Sequence, residues 1–475
     1  MVEKSQKMWR NDLMELAERC MIQVRKRDIT TFKIKRIHKH DLMRDLCLSK
    51  AKQESFVFIV DQSNASSSSM IRKVRRASSQ KSLRIQCIKS PNLLSLLFFN
   101  GFSPDEETEK LFPNILLNYI DNHEDNLNKL RLIFESLLVC DTVPVAVGVL
   151  FSKAQGAWRY MCNNFKLLRV LNYKRRLDNE VIAGRKLPND IGNLIHLRFL
   201  SLRGIVFWWR KLPSSLGNLR CLLTLDLRLG NKDSQSIHVP NVIWKMKKLR
   251  HLYLPLKYNS KTKLKLGTLR NLQTLVNFNT KSCYLKDLMN VTNLRELAIK
   301  GPFEIEDFNV EELEKNPPVI EGKYLYSLSI IDRGGRIDMR QLNHLLSSCI
   351  SLCKLCLDVK INELPKYNHL SSNLAYIKLS YYKVDDDPMP TLEKLPNLRI
   401  LKLLNVALRA NKIVYSAQGL KILLDGLRFI ATLQELKFKD VLKELKDKVD
   451  EGGEDFYKFQ YIPSIKFQGE CVIPS

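Results

Sequence analysis

One unit, LxxLxxLxL, recurs along most of this chain and constrains its fold more than any other feature. It runs through Leu194, Leu197, Leu200 and Leu202, then Leu219, Leu222, Leu225 and Leu227, then Met246, Leu249, Leu252 and Leu254. Further copies end in Leu294, Leu297, Ile299; in Leu352, Leu355, Leu357; in Leu374, Ile377, Leu379; in Leu398, Leu401, Leu403; and in Leu433, Leu436, Phe438. Weaker copies pass through Leu93, Leu96, Phe98 and through Leu168, Leu171. The LxL core has the period of two that sends alternate side chains to one face of a strand. A lone strand of this kind cannot bury its own leucines. The copies must stack, and the stack is a solenoid with one continuous core.

The outer period, mostly about 22 to 27 residues, is that of leucine-rich repeats. The expected fold is α/β: a leucine-rich-repeat solenoid, or horseshoe, over residues 91–475. The residues flanking the inner leucines face solvent on the concave side and form its binding surface. One register holds Ser201, Asp226, Tyr253, Ala298, Ser329, Cys356, Lys378, Lys402 and Lys437. The adjoining register holds Phe199, Thr224, His251, Glu296, Ser327, Lys354, Tyr376, Ile400 and Glu435. Phe199, Tyr253, Lys354, Tyr376, Lys378, Lys402 and Lys437 are the candidate protein-binding residues. Three lysines then sit on successive strands, where like charges repel by tenths of a kcal/mol to about 1 kcal/mol. An acidic partner would relieve that repulsion; so would open solvent, which screens flexible ammonium groups.

Residues 1–62 have a different texture. Asp12 can cap a short helix through Cys20, with Leu13, Leu16 and Ala17 on one face. Met21–Val24 and Phe32–Ile37 read as a hairpin. Asp41 precedes a second amphipathic helix, with Leu42, Met43, Leu46 and Cys47 on its expected buried face. Helix, strand pair and helix form the pattern of a partial winged helix. Residues 63–90 read as a linker: Ser63–Ser69 is serine-rich, and the basic run Arg72, Lys73, Arg75, Arg76 follows. The repeat pattern fades over 103–160 and 301–325.

The 77 Lys and Arg outweigh the 50 Asp and Glu, giving a formal charge of +27. A basic chain can meet nucleic acid, anionic lipid or an acidic protein. Here the basic residues are spread along the chain with no fold for reading bases, so a solvated, lysine-rich surface also accounts for the charge. Met1–Arg27 lacks the apolar core of a signal peptide. The apolar stretch Ser136–Phe151 is broken by Asp141 and Pro144, short of the ~18 residues that a spanning helix needs. The eleven cysteines are scattered. Cys353 and Cys356 make a CxxC with no second pair at zinc spacing, and His38 with His40 is a weak metal pair. Structural thiols point to a reducing compartment, cytoplasmic or nuclear. No GxxxxGK[ST], GxGxxG, HExxH or GxSxG occurs, so the expectation is a binding protein, with no catalytic residues and no metal.

Two stretches carry a family resemblance. ELAERCMIQVRKRD and HDLMRDLCLSKAKQESF, within Leu13–Phe56, resemble the end of the winged-helix domain of plant coiled-coil nucleotide-binding leucine-rich-repeat immune receptors, in their late-blight and downy-mildew resistance group. KLPNDIGNLIHLRFLSLRG, KLPSSLGNLRCLLTLDLR and the terminal GGEDFYKFQYIPSIKF are similar to that group's repeats and closing segment. The resemblance implies a recognition and autoinhibition module that lacks the nucleotide-binding core. It also implies partners: a pathogen effector, a guarded host protein, or the nucleotide-binding domain of a related receptor, which the basic repeats would meet on an acidic face. It places His40 and Asp41 at the His and Asp of a Met-His-Asp motif that senses ADP, with Lys39 at the Met position. A His and an Asp at a helix N-terminus can sit beside an anion; Asp41 can equally be a plain cap. Without a P-loop, no ADP or ATP is expected in this chain, and membrane association would be peripheral. A basic scaffold for nucleic acid and an adaptor for protein turnover are the competing readings. The sequence fixes no oligomeric state.

Overall fold

A computed structural model describes residues 22–27, 34–39, 41–54, 57–60, 74–79, 88–98, 156–173, 181–182, 186–206, 211–229, 236–303, 320, 322–361, 363–382, 389–404, 427, 429–442, 446–447, 449, 452–458 and 460–471. Its main element is a fifteen-stranded parallel sheet whose strands follow one another in chain order. Each coil of the solenoid adds one strand beside the last, as expected of stacked repeats.

The LxxL half of the motif is a turn. Leu197 N–H donates to Leu194 O at 2.9 Å, Leu249 to Met246 O at 2.9 Å and Leu272 to Leu269 O at 2.9 Å. The two residues between the apolar ones project outward, which leaves even Ile195 53% exposed. The LxL half is the strand. Leu200, Leu225, Leu252, Leu275, Leu297, Leu328, Leu355, Ile377, Leu401, Leu436 and Ile465 stand in one continuous register. Leu200, Leu225, Leu252, Leu275, Leu297 and Leu328 are fully buried. Each such leucine contributes up to about 2 kcal/mol of transfer free energy. At the C-terminal end the second inner row passes from leucine to aromatic, and Phe438 stacks on Phe467 at 5.4 Å between ring centres.

Side-chain amides stitch successive coils together. Asn271 Nδ2 donates to Lys247 O at 3.0 Å, Asn293 Nδ2 to Arg270 O at 2.9 Å and Asn397 Nδ2 to Ser372 O at 2.9 Å. Each satisfies a turn carbonyl that the sheet cannot reach. Short 3-10 helices such as Asn189–Asn193 and Ser214–Asn218 close the coils on the other side. A glycine in the first lets the second approach: a Cβ on Gly192 would meet Ser215 O at 2.7 Å.

The structure departs from the expected organisation at two strands and at one helix face. Val57–Val60 and Arg76–Ser79 are strands of the main sheet, paired with each other and, through the second, with Ser95–Phe98. The ladder thus begins before residue 91, and part of the supposed linker 63–90 lies inside it. Val74 and Ala77, both buried, stand where leucines stand in later coils, so this coil carries the spacing without the letters. Ser63–Ser69, Arg72 and Lys73 lie outside the described residues. Ile22–Arg27 and Ile34–Lys39 do pair as an antiparallel hairpin, followed by the helix Asp41–Gln53. On that helix, however, Leu46 is 62% exposed and Cys47 is exposed. The amphipathic spacing is there, but among the described residues nothing covers Leu46 and Cys47. The expected first helix, Asp12–Cys20, lies outside the described residues, as does most of 103–160.

Candidate protein-binding face

The residues beside the inner leucines form two unbroken rows on the solvent side of the sheet. The first runs Ser201, Asp226, Tyr253, Val276, Ala298, Ser329, Cys356, Lys378, Lys402, Lys437, Lys466. The second runs Phe199, Thr224, His251, Thr274, Glu296, Ser327, Lys354, Tyr376, Ile400, Glu435, Ser464. Every candidate protein-binding residue from the sequence stands on one of these rows. Val276 and Thr274, and at the far end Lys466 and Ser464, join them from strands that the leucine pattern did not reveal.

The N-terminal half of the face is built around Arg228. Its Nε donates to Asp226 Oδ1 at 2.9 Å, a second guanidinium nitrogen holds Oδ2, and its carbon lies 4.2 Å from the Tyr253 ring centre. The hydrogen bond to Asp226 raises the guanidinium's already high pKa. Burial pushes the Tyr253 phenol above its ordinary value, away from ionisation. Next to it His251 Nδ1 lies 3.1 Å from Thr274 Oγ1. Burial and the flanking charges of Arg250 and Arg295 pull its pKa below the ordinary value. The imidazole is neutral at pH 7.

The C-terminal half is a chain of charges. Lys354 Nζ lies 5.1 Å from the Tyr376 ring centre and Lys402 Nζ lies 5.4 Å from it, so one ring receives ammonium groups from both sides of its strand. Lys402 Nζ also lies 3.0 Å from Glu435 Oε1, and Lys466 Nζ lies 3.3 Å from Glu435 Oε2. Burial pushes the Glu435 carboxyl up; the hydrogen bonds and charges of Lys402 and Lys466 more than offset this and hold it below the usual range. Lys378 and Lys437 differ from their neighbours: among the described residues, no carboxylate pairs with either. Burial raises the Cys356 thiol against the opposing pull of Lys354, Lys378 and Lys402.

His40 lies outside the described residues. Asp41 is the first residue of the helix Asp41–Gln53. Among the described residues no group of three or more His, Cys, Asp or Glu could hold a metal. No helix among them is long and apolar enough to cross a membrane. Cys353 and Cys356 are free thiols.

The leucine-rich repeat region family matches residues 149–446. The chain belongs to the leucine-rich repeat family. Among curated relatives, this leucine-rich-repeat chain is 31% identical to "Probable disease resistance RPP8-like protein 4" of Arabidopsis thaliana, over 90% of the chain and 45% of the relative. It is 32% identical to "Probable disease resistance RPP8-like protein 2" of the same plant, over 96% of the chain and 48% of the relative. The chain thus spans about half the length of the curated relatives it matches. Among solved structures, a Leptospira interrogans LRR protein matches over 88% of this chain and 98% of its own, at 17% identity and a TM-score of 0.43.

Proposed function

We propose that this leucine-rich-repeat chain is a recognition module of plant defence, binding protein partners through the concave face of its sheet, with no catalysis and no nucleotide of its own. The observation that carries this reading is the pair of continuous rows across the face. They set aromatic and Arg-centred contacts at one end (Phe199, Tyr253, Arg228) and a lysine ladder at the other. Interfaces take their energy from such aromatic and Arg anchors and their specificity from charge. Similarity to disease resistance proteins supports the plant-defence setting. It suggests a pathogen effector, a guarded host protein or the remaining half of a related receptor as the partner, with the repeats restraining that half.

The test is pull-down of purified chain with defined effectors and with the part of an RPP8-like protein that this chain does not span. Binding that Tyr253→Ala and Phe199→Ala abolish, and that Ile195→Ala on the outer turn leaves intact, is the expected result. Failure with every such partner, or tight binding of labelled ADP, would overturn the reading. Dominant binding to nucleic acid with a steep salt dependence would instead favour an electrostatic scaffold.

A further inference from the structure

We infer that the lysine ladder of the last four strands is a docking site for an acidic, extended polypeptide segment, with Lys378 and Lys437 as the ligand-facing charges. The inference rests on reading the concave face as a protein-binding surface, and it names the chemistry of the partner there.

Lys378, Lys402, Lys437 and Lys466 stand on consecutive, in-register strands. Neighbouring strands are about 4.8 Å apart, too close for four ammonium groups to be indifferent to one another. Glu435, one strand position away, resolves half of this repulsion. It bridges Lys402 and Lys466 at 3.0 and 3.3 Å and fixes both. Lys402 is further held against Tyr376. The pattern across the ladder is therefore alternate: open, bridged, open, bridged. The open charges, Lys378 and Lys437, are only half-buried and have no carboxylate of their own among the described residues.

One strand, that of Lys402, lies between the open lysines, so two inter-strand spacings of about 4.8 Å set them about 10 Å apart. A polyproline-II-like segment rises about 3.1 Å per residue with three residues per turn, so carboxylates at every third position recur on one side at about 9 Å. That spacing matches the open pair. A continuous polyphosphate fits less well, for two reasons. Glu435, on the strand of Lys437, places a negative charge beside that open lysine, where a nucleic-acid backbone would bring its own. Tyr376, the aromatic beside the ladder, already serves Lys354 and Lys402, whereas single-stranded nucleic acid needs rings free for base stacking.

The test is fluorescence anisotropy with the full chain and a labelled peptide bearing Glu at every third position. Saturable binding is expected, with about tenfold weakening in Lys378→Ala/Lys437→Ala. Lys378→Gln/Lys437→Gln should weaken it equally, and circular dichroism would verify that both variants fold. Lys247→Ala/Lys248→Ala, which removes the same charge from a turn outside the face, should leave affinity unchanged. The proposal fails if the ladder variants bind like the parent, if the turn variant weakens binding as much, or if single-stranded RNA of equal charge displaces the peptide more readily than the peptide itself. The probe involves no defence protein. Its failure would leave recognition through the aromatic end standing, and failure of every protein partner with peptide binding intact would remove the defence reading alone.

Discussion

The Arg228 guanidinium lies 4.2 Å from the centre of the Tyr253 ring, one strand over. The same group holds Asp226, whose side chain is 8% exposed. Breaking such a pair leaves a buried charge without its partner. Because the Arg228 side chain is 30% exposed, solvent moderates the penalty. Arg228→Met should cost about 1–3 kcal/mol in urea unfolding. Asp226→Asn added to it should restore part of the loss, since the orphaned charge is gone. Additive losses in that double-mutant cycle would show that the two groups are energetically independent.

The two faces of a single strand should respond in opposite ways. Leu297 is fully buried between Leu275 and Leu328, while Ala298 beside it faces solvent between Val276 and Ser329. Leu297→Ala should destabilise by about 2–5 kcal/mol through lost burial and the cavity left behind. Ala298→Ser should stay within about 0.5 kcal/mol. Equal effects at the two positions would contradict the register.

The registers were legible in the sequence because LxL fixes which residues face which way. Where that local pattern breaks, the reading stops. The strand Thr274–Phe278 went unseen because Leu275 is followed by Val276, Asn277 and Phe278. Asn277 adopts φ 62°, and a bulge there sets Phe278 rather than Asn277 against Ile299. The Asn277 amide offsets the distortion by donating to Leu254 O at 2.8 Å. The last strand, Ser464–Cys471, carries Ile465 and Phe467 in place of leucines, which hid Lys466 and Ser464. The bridging role of Glu435 was out of reach for another reason: it depends on the reach of three long side chains from three strands, which spacing does not encode. The exposed Leu46 shows the opposite limit, since helical periodicity marks an apolar face without saying whether anything covers it.

Glycines that admit a neighbouring coil should be intolerant of a methyl group. A Cβ on Gly322 would stand 2.3 Å from Ser348 O and 2.8 Å from Cys349 Cα, both backbone atoms with little freedom to yield. Gly322→Ala should lower stability by about 1–3 kcal/mol or more. Gly156, in the helix 156–164, has nothing within 4 Å of the same position. Gly156→Ala should be neutral or slightly stabilising. Thermal melts of the two variants, side by side, decide between crowding and a general dislike of alanine.

Thiol reactivity should divide along the core boundary. Burial pushes the Cys162 and Cys349 thiols up to about 12 and Cys283 up to about 11. The thiolate is the reacting form, so these three should resist iodoacetamide at pH 8 in the folded chain. Cys47, exposed on its helix, should label first among the described cysteines. Mass spectrometry of partially labelled peptides gives the order, and early labelling of Cys162 would mean that the first coils open on the timescale of the reaction.

Glu435 gives the C-terminal strands a defined acid response. Its carboxyl lies below the ordinary value of 4.5 in the folded chain, because Lys402 and Lys466 outweigh its burial. A depressed folded-state pKa stabilises the fold fully above the unfolded value, and that contribution is lost as pH falls through the folded one. The loss should therefore begin near pH 4.5 and be complete only at lower pH. Other carboxylates titrate in the same range, so the informative quantity is the difference between the parent and Glu435→Gln. At pH 7 the parent should be more stable by up to about 1 kcal/mol, the scale of a partly exposed ion-pair network. The gap should close on acidification, as Lys402 and Lys466 lose the charge that holds them. A gap that stays constant from pH 7 to pH 3 would mean that Glu435 acts through packing, and the alternation of bridged and open lysines would lose its electrostatic basis.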